Sequence, residues 1–263
     1  MSSAPLKKMK VSWEEIVQYD LLLDSSIHMN PLIGNEIQLS WSGRIFCVAC
    51  GKQTKKSFGE GFCYNCFISA PEATECNIRP ELCRAHLGEG RDPEWEEINH
   101  NTPHVVYLAA SDIVKVGVTR QNQVPTRWID QGASSAIRLA ETPNRYEAGV
   151  LEVALKSFFS DKTNWQRMLK NEVDPFIDLV DEKWTLHERL PSDLTKYYSE
   201  NDEVLKIQYP VLQYPIKVLS QSFDKSDVVK GKLAGIKGQY LIFNDGRVIN
   251  IRKHTGYETS LEF

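Results

Sequence analysis

The amino-acid sequence predicts an α+β fold in which a zinc-ribbon segment and a central α/β core stand between strand-rich ends. Three observations predict it. All six cysteines fall between positions 47 and 83. Over 104–190, two short β-rich runs give way to apolar stripes with helical spacing. From 209 onward, short alternating apolar runs are separated by Gly, Asn and Asp, which reads as strands and turns. The corresponding segments are 1–46, an N-terminal helix and strand segment; 47–103, a zinc-binding region; 104–190, the α/β core; and 200–263, a C-terminal β module. The N- and C-terminal strands are expected to fold together as a small barrel-like module.

Taken in order, residues 13–22 predict a short helix, and Ile37-Gln-Leu-Ser-Trp41 predicts a strand from its period of two. Between 47 and 100, turn formers and charges dominate and aliphatics are few, so this stretch needs a staple other than a hydrophobic core. His104-Val-Val-Tyr-Leu-Ala109 and Val114-Lys-Val-Gly-Val-Thr119 flank a short connection and predict a hairpin. Helices are expected over 126–131, over 144–159 with Val150, Leu151, Ala154, Leu155, Phe158 and Phe159 as its apolar stripe, and over 165–179. Asp161-Lys-Thr-Asn164 before Trp165 has the composition of a helix cap. Near the C-terminus, strands are expected over 216–219 and 232–235, and Asn244-Asp-Gly246 between 238–243 and 247–251 predicts a second hairpin.

The bulk numbers set outer bounds. A chain of 263 residues with 41% hydrophobic and 25% charged residues has the composition of a folded protein. No run of eighteen apolar residues is present, which excludes a helical membrane span. Basic residues at the N-terminus have no apolar segment behind them, so a secretory signal is not expected and a cytoplasmic setting with reduced thiols is. A net charge of −4 argues against indiscriminate coating of nucleic acid. The charge is nonetheless segregated. Lys52, Lys55 and Lys56, then Lys115, Arg120 and Arg127, then Lys230, Lys232 and Lys237, form local basic groups.

Cys47-Val-Ala-Cys50-Gly and Cys63-Tyr-Asn-Cys66 are two Cys-x-x-Cys knuckles. Two residues between cysteines let both thiolates of one turn face a single ion, and two knuckles complete a tetrahedral S4 site with no open position. One structural Zn2+ is expected there. Cys76 and Cys83, with His86 and His100 downstream, supply the ligand count for a second Zn2+, although their spacing is irregular. The plainer reading of that pair is buried thiols beside surface histidines.

Val105-Val-Tyr107 followed by Lys115-Val-Gly117-Val-Thr119 resembles the paired strands of the GIY-YIG endonuclease superfamily. That resemblance implies a phosphodiesterase-like core. It places Tyr107 at the first tyrosine, Lys115 where the second stands, Arg127 at the helical arginine and Glu152 at the carboxylate of a later helix, with Asn164 closing the motif. On this reading Tyr107 is the base, its proton loosened by Lys115, Arg127 clamps a phosphate oxygen, and Glu152 holds Mg2+ or another divalent ion. Val105 and Lys115 depart from the pattern, which has Gly and Tyr there. Each residue also has an ordinary role: Tyr107 as a packed aromatic, Lys115 paired with Asp112, Arg127 with Asp130, and Glu152 with Lys156, while Glu147 is an alternative carboxylate.

Over a longer span, Cys-Tyr-x-Cys-Phe, Pro-Glu-x-Cys, Lys-Val-Gly-Val-Thr-Arg, Arg-Trp-Ile-Asp-Gln-Gly-Ala and the late Gly-Ile-Lys-Gly-Gln-Tyr-Leu-Ile-Phe are similar to a bacterial domain-of-unknown-function family, number 2797. The resemblance runs from Cys47 to the C-terminus and carries no activity. Together these readings point to nucleic acid, DNA or RNA, as partner. The first expectation is a metal-dependent nuclease. The alternatives are a non-catalytic nucleic-acid-binding or ribosome-associated module on the same fold, and a protein-interaction scaffold.

Overall fold

The computed structural model describes residues 3–159 and 164–263. Of the cap expected at 161–164, only Asn164 lies within the described residues. In chain order the main elements are β1 (Gln18–Leu22), β2 (Glu36–Phe46), α1 (Tyr64–Ser69), α2 (Pro93–Asn99), β3 (His104–Ala110), β4 (Val114–Arg120), α3 (Thr126–Asp130), β5 (Ser135–Thr142), α4 (Arg145–Lys156), α5 (Trp165–Leu169), α6 (Leu179–Arg189), β6 (Val204–Lys206), β7 (Val228–Lys237), β8 (Tyr240–Phe243), β9 (Arg247–Asn250) and β10 (Tyr257–Glu262). The chain divides into two compact units: Met1–Ile68 with Ile129–Gly132 and Gln208–Phe263, and Ser69–Trp128 with Ala133–Ile207. Both mix strands with helical turns, so the α+β class is what forms.

The first unit is built on an eight-stranded sheet whose middle strand, β2, pairs antiparallel with β10 on one side and β7 on the other. The alternation seen in 37–41 is real: Ile37 and Leu39 are buried while Glu36 is exposed and Gln38 half-buried. β7 then passes from β2 to β8 through a register shift between Leu233 and Gly235. The hairpin of β8 and β9 is the one expected from Asn244-Asp-Gly246. The 216–219 strand shifts to Leu219–Gln221, parallel to β9. No closed barrel forms. The path of the sheet ends on Ala4–Pro5 and Leu219–Gln221, two and three residues long, and closure would require those ends to bond to each other.

The helix expected over 13–22 is not formed either; β1 occupies 18–22. Val17, Tyr19 and Leu21 are each fully buried, and Gln18, Asp20 and Leu22 between them are half-buried. That is a period of two, and Trp13 and Ile16 before it are exposed.

The second unit carries a four-stranded antiparallel sheet in the order β6-β5-β3-β4. Residues directly opposite in a β-ladder share a face. Val106, Leu108 and Ala110 of β3 therefore lie with Val114, Val116 and Val118 of β4, and Ala148, Leu151 and Leu155 of α4 pack on that face with Leu179 and Leu186 of α6. Asn144 caps α4, its side chain accepting from the Glu147 N–H at 3.0 Å. The helix expected over 165–179 stops at Leu169: Asn171 takes a φ of 57° and Pro175 follows, so the helix restarts only at α6 behind the Asp178 cap. Within the second unit, residues 69–103 form 3-10 turns at Pro71–Ala73, Glu75–Asn77, Pro80–Leu82 and Ala85–Leu87, and then α2.

Candidate metal centre

At the end of β2, the chain folds back so that Gln53–Thr54 pairs with Phe46 and Ile45. The first cysteine knuckle is the turn between them, closed by the Gly51 N–H donating to the Cys47 carbonyl at 2.9 Å. The second knuckle enters α1, where the Phe67 N–H donates to the Cys63 carbonyl at 2.9 Å. These two turns bring the four sulfurs of Cys47, Cys50, Cys63 and Cys66 within 4.8 Å of one another, with Cys50 and Cys63 at 3.9 Å. All four are free thiols. Burial raises the Cys47 thiol, but N–H groups of Cys50, Cys63 and Ala49 aimed at it outweigh this and bring it down to about 6. Cys66, hydrogen-bonded to its neighbour Cys63, is pushed up to about 12. Cys47 thus offers a thiolate near neutral pH, and the four-sulfur set fits a tetrahedral zinc ion.

The same segment carries a polar-aromatic face. Lys56 Nζ lies 5.3 Å from the centre of the Phe58 ring, which meets Tyr64 at 5.4 Å and Phe67 at 6.1 Å. Lys52, Lys55, Lys56, Tyr64 and Phe67 are all exposed.

Cys76 and Cys83 do come together, but not with both expected histidines. Their sulfurs gather with Nδ1 or Nε2 of His100 and a carboxylate oxygen of Glu96, the ligand atoms lying within 4.8 Å of one another. His86 is elsewhere, its ring stacked on Tyr146 at 4.5 Å. The difference comes from α2: Glu96 and His100 are one helical turn apart and project together, whereas His86 sits in the 3-10 turn Ala85–Leu87. Glu96 was hidden in the sequence among the acidic residues 94–97. Its spacing of four from His100 was the available signal.

The four residues named for phosphodiester chemistry divide. Tyr107 is opposite Gly117 and Lys115 is opposite Ala109, so these two share the sheet face away from the one on which α4 packs. The Tyr107 ring lies directly over Gly117, where a Cβ would come within 2.6 Å of its hydroxyl, and beside Trp128 at 5.8 Å. Gly117 thus serves as the space the phenol needs. Lys115 is half-buried, which lowers its ammonium, and stands 3.9 Å from Asp112. Asp112 accepts the backbone N–H of Asn164 at 3.2 Å. Asp130, the pair expected for Arg127, is bound instead by Lys8 and by Gln239.

Glu152 is carried by α4, beyond the opposite face of the sheet from Tyr107 and Lys115. Its carboxylate pairs with Lys156 at 3.4 Å, and burial holds its proton more tightly than usual. Glu147 lies on the same helix, in its first turn. Side chains alternate across a strand, so the odd-numbered Tyr107 faces away from the helix that carries Glu152.

Among known proteins, the family described as Protein of unknown function (DUF2797) matches residues 34–259. No curated protein and no solved structure matches the chain.

Proposed function

We propose, for a chain that belongs to the DUF2797 family, that it is a zinc-stapled nucleic-acid-binding protein that binds through its ribbon and whose GIY-YIG-like core does not cleave. The observation that carries this reading is the ribbon segment itself, where Lys56 lies over the Phe58 ring, Phe58 meets Tyr64 and Phe67, and Lys52 and Lys55 are exposed on the same short stretch of chain. Lysines track a phosphate backbone and aromatic rings stack on unpaired bases, a combination suited to single strands. A zinc ion in the four-sulfur site would fix both knuckles and hence the spacing of those groups, and supplies no chemistry to the ligand. The placement of Tyr107 and Glu152 on opposite sides of the sheet, together with the pairing of Glu152 with Lys156, argues against the nuclease reading.

Fluorescence anisotropy with labelled single-stranded DNA and RNA tests this. Binding should weaken steeply with salt, and Lys55→Glu with Lys56→Glu should reduce both the affinity and the salt slope. Tyr64→Ala should cost about 1–3 kcal/mol, or roughly 5- to 150-fold in Kd. Absence of binding at 50 mM salt (about the lower limit of the usual salt window), or binding indifferent to these substitutions, removes the proposal. Mg2+-dependent cleavage that disappears in Arg127→Ala and Glu152→Ala would return the molecule to the nucleases.

A further inference from the structure

The structure assigns a second metal centre to Cys76, Cys83, Glu96 and His100, built to hold Zn2+ with an S2NO ligand set. All four residues are buried, and three separate stretches of chain deliver them: the turn Glu75–Asn77, the residue after Pro80–Leu82, and helix α2. Each contributes a ligand-competent atom to one point, all within 4.8 Å of one another. Cys76 Sγ and His100 Nδ1 are 3.7 Å apart, and the Glu96 carboxylate is in direct contact with Nδ1 of His100. A tetrahedral zinc ion with such ligands has edges of roughly 3.3–3.8 Å, so small side-chain rotations close the set.

Two thiolates, a carboxylate and a neutral imidazole around Zn2+ leave one formal negative charge. The surroundings supply the compensating cation. Arg145, half-buried, acts electrostatically on Cys83, and its guanidinium donates to the carbonyls of Cys76 at 2.9 Å and Asn77 at 3.1 Å. The Arg145 backbone N–H donates to the His100 carbonyl at 2.9 Å. One residue therefore braces two of the ligand-bearing segments, the arrangement expected of outer groups around a metal. The Ala85 N–H is aimed at the Cys83 sulfur, as the Ala49 N–H is at Cys47 in the ribbon. Gly90 completes the cavity: a Cβ there would come within 2.4 Å of the Glu96 side chain.

The plainer reading, two small apolar thiols beside a carboxylate–histidine pair, leaves this region with little beyond Arg145 and the approach of α4 to hold it. Among the described residues its buried apolar cluster is Cys76, Cys83 and Ala85, with Tyr146 against it. A metal is what a run of four 3-10 turns with so little core requires. The centre is closed by four protein ligands and is structural.

Zinc content per chain, measured by mass spectrometry on the purified full-length protein, should be two. Cys83→Ser should lower it to one, and so should Cys47→Ser with Cys50→Ser, leaving the other site filled. After Co2+ exchange, the ribbon-deficient protein should keep a visible spectrum with weaker sulfur-to-metal charge transfer than the Cys83→Ser protein, which retains four sulfurs. Should Cys83→Ser not fold, Glu96→Gln serves instead, with a loss of metal affinity of at least 10-fold against a chromophoric chelator. His86→Asn should leave the content at two. A wild-type content of one, two zinc ions retained in both Cys83→Ser and Glu96→Gln, or loss of zinc in His86→Asn but not in Glu96→Gln overturns the assignment. These readouts do not involve nucleic acid, so they stand or fall apart from the binding proposal.

Discussion

The two cysteine clusters solve the same problem with different materials. The first, in the strand-built unit, takes all four ligands from two tight turns twelve residues apart and leaves its flanks to solvent. The second, in the other unit, collects two thiols from 3-10 turns and a carboxylate and imidazole from one turn of α2, and buries them all. A local site needs only its knuckles to be correct. A dispersed site needs the packing around it, here Arg145 and the approach of α4, to be correct first.

The largest expected effect lies in the local site. Cys63→Ser removes a ligand from a segment that has almost no apolar core, so its folding should go with the metal. Amide hydrogen exchange over 47–67 should lose more than about 3 kcal/mol of protection, roughly 100-fold, because structural zinc contributes far more than that to such segments. The amides of β1 in the same unit, set among fully buried Val17, Tyr19 and Leu21, should keep theirs. Equal loss in both segments would mean that the ribbon is not a separately stapled piece.

The dispersed site is tested through its packing. Gly149 lies on α4 where a Cβ would come within 2.2 Å of the Glu81 backbone nitrogen and 2.3 Å of the Pro80 carbonyl carbon. Alanine in a helix interior ordinarily stabilises by about 1 kcal/mol relative to glycine. Here Gly149→Ala should instead destabilise by about 2–3 kcal/mol in urea unfolding, because backbone must move away from backbone. It should also speed chelator removal of metal from the Cys83 site. A stabilised variant would show that α4 and Pro80–Leu82 do not hold the second cluster together.

The same contrast explains what could be read in advance. The Cys-x-x-Cys knuckles announce their geometry because two residues of spacing suffice to define it, and the His104–Ala110 and Val114–Arg120 hairpin was legible from its β-branched runs. Glu96 was not legible, since a ligand four residues before a histidine on an acidic helix resembles any solvated face until the fold buries it. β5 escaped notice because its alanines carry little strand signal, and it forms by pairing with β3. The 17–21 alternation was present within the segment read as a helix. For the four residues named from the GIY-YIG resemblance, order along the chain was readable and sheet face was not. Lys115 with Asp112 and Glu152 with Lys156, the ordinary pairings, are the ones observed.

The smallest effect concerns His104, which lies close in sequence to the second cluster but outside its ligand set. It is fully buried at the start of β3, with Nδ1 donating to the Thr102 carbonyl at 2.6 Å. Burial, opposed by that carbonyl and reinforced by the positive charge of Arg145, brings its pKa down to about 4. The folded value lies below the roughly 6.5 of an unfolded histidine, so the fold prefers the neutral ring. Its contribution is fully present above pH ~6.5 and is lost as pH falls toward 4, amounting to about 2 kcal/mol between pH 7.5 and 5. Acid also protonates thiolates in both clusters, which steepens the wild-type profile on its own. His104→Asn retains a donor for Thr102 without a titrating ring, so the difference between the two urea-unfolding profiles isolates the histidine. That difference should shrink by about 2 kcal/mol on going from pH 7.5 to 5. Parallel profiles would place the acid sensitivity of this unit in the metal ligands alone.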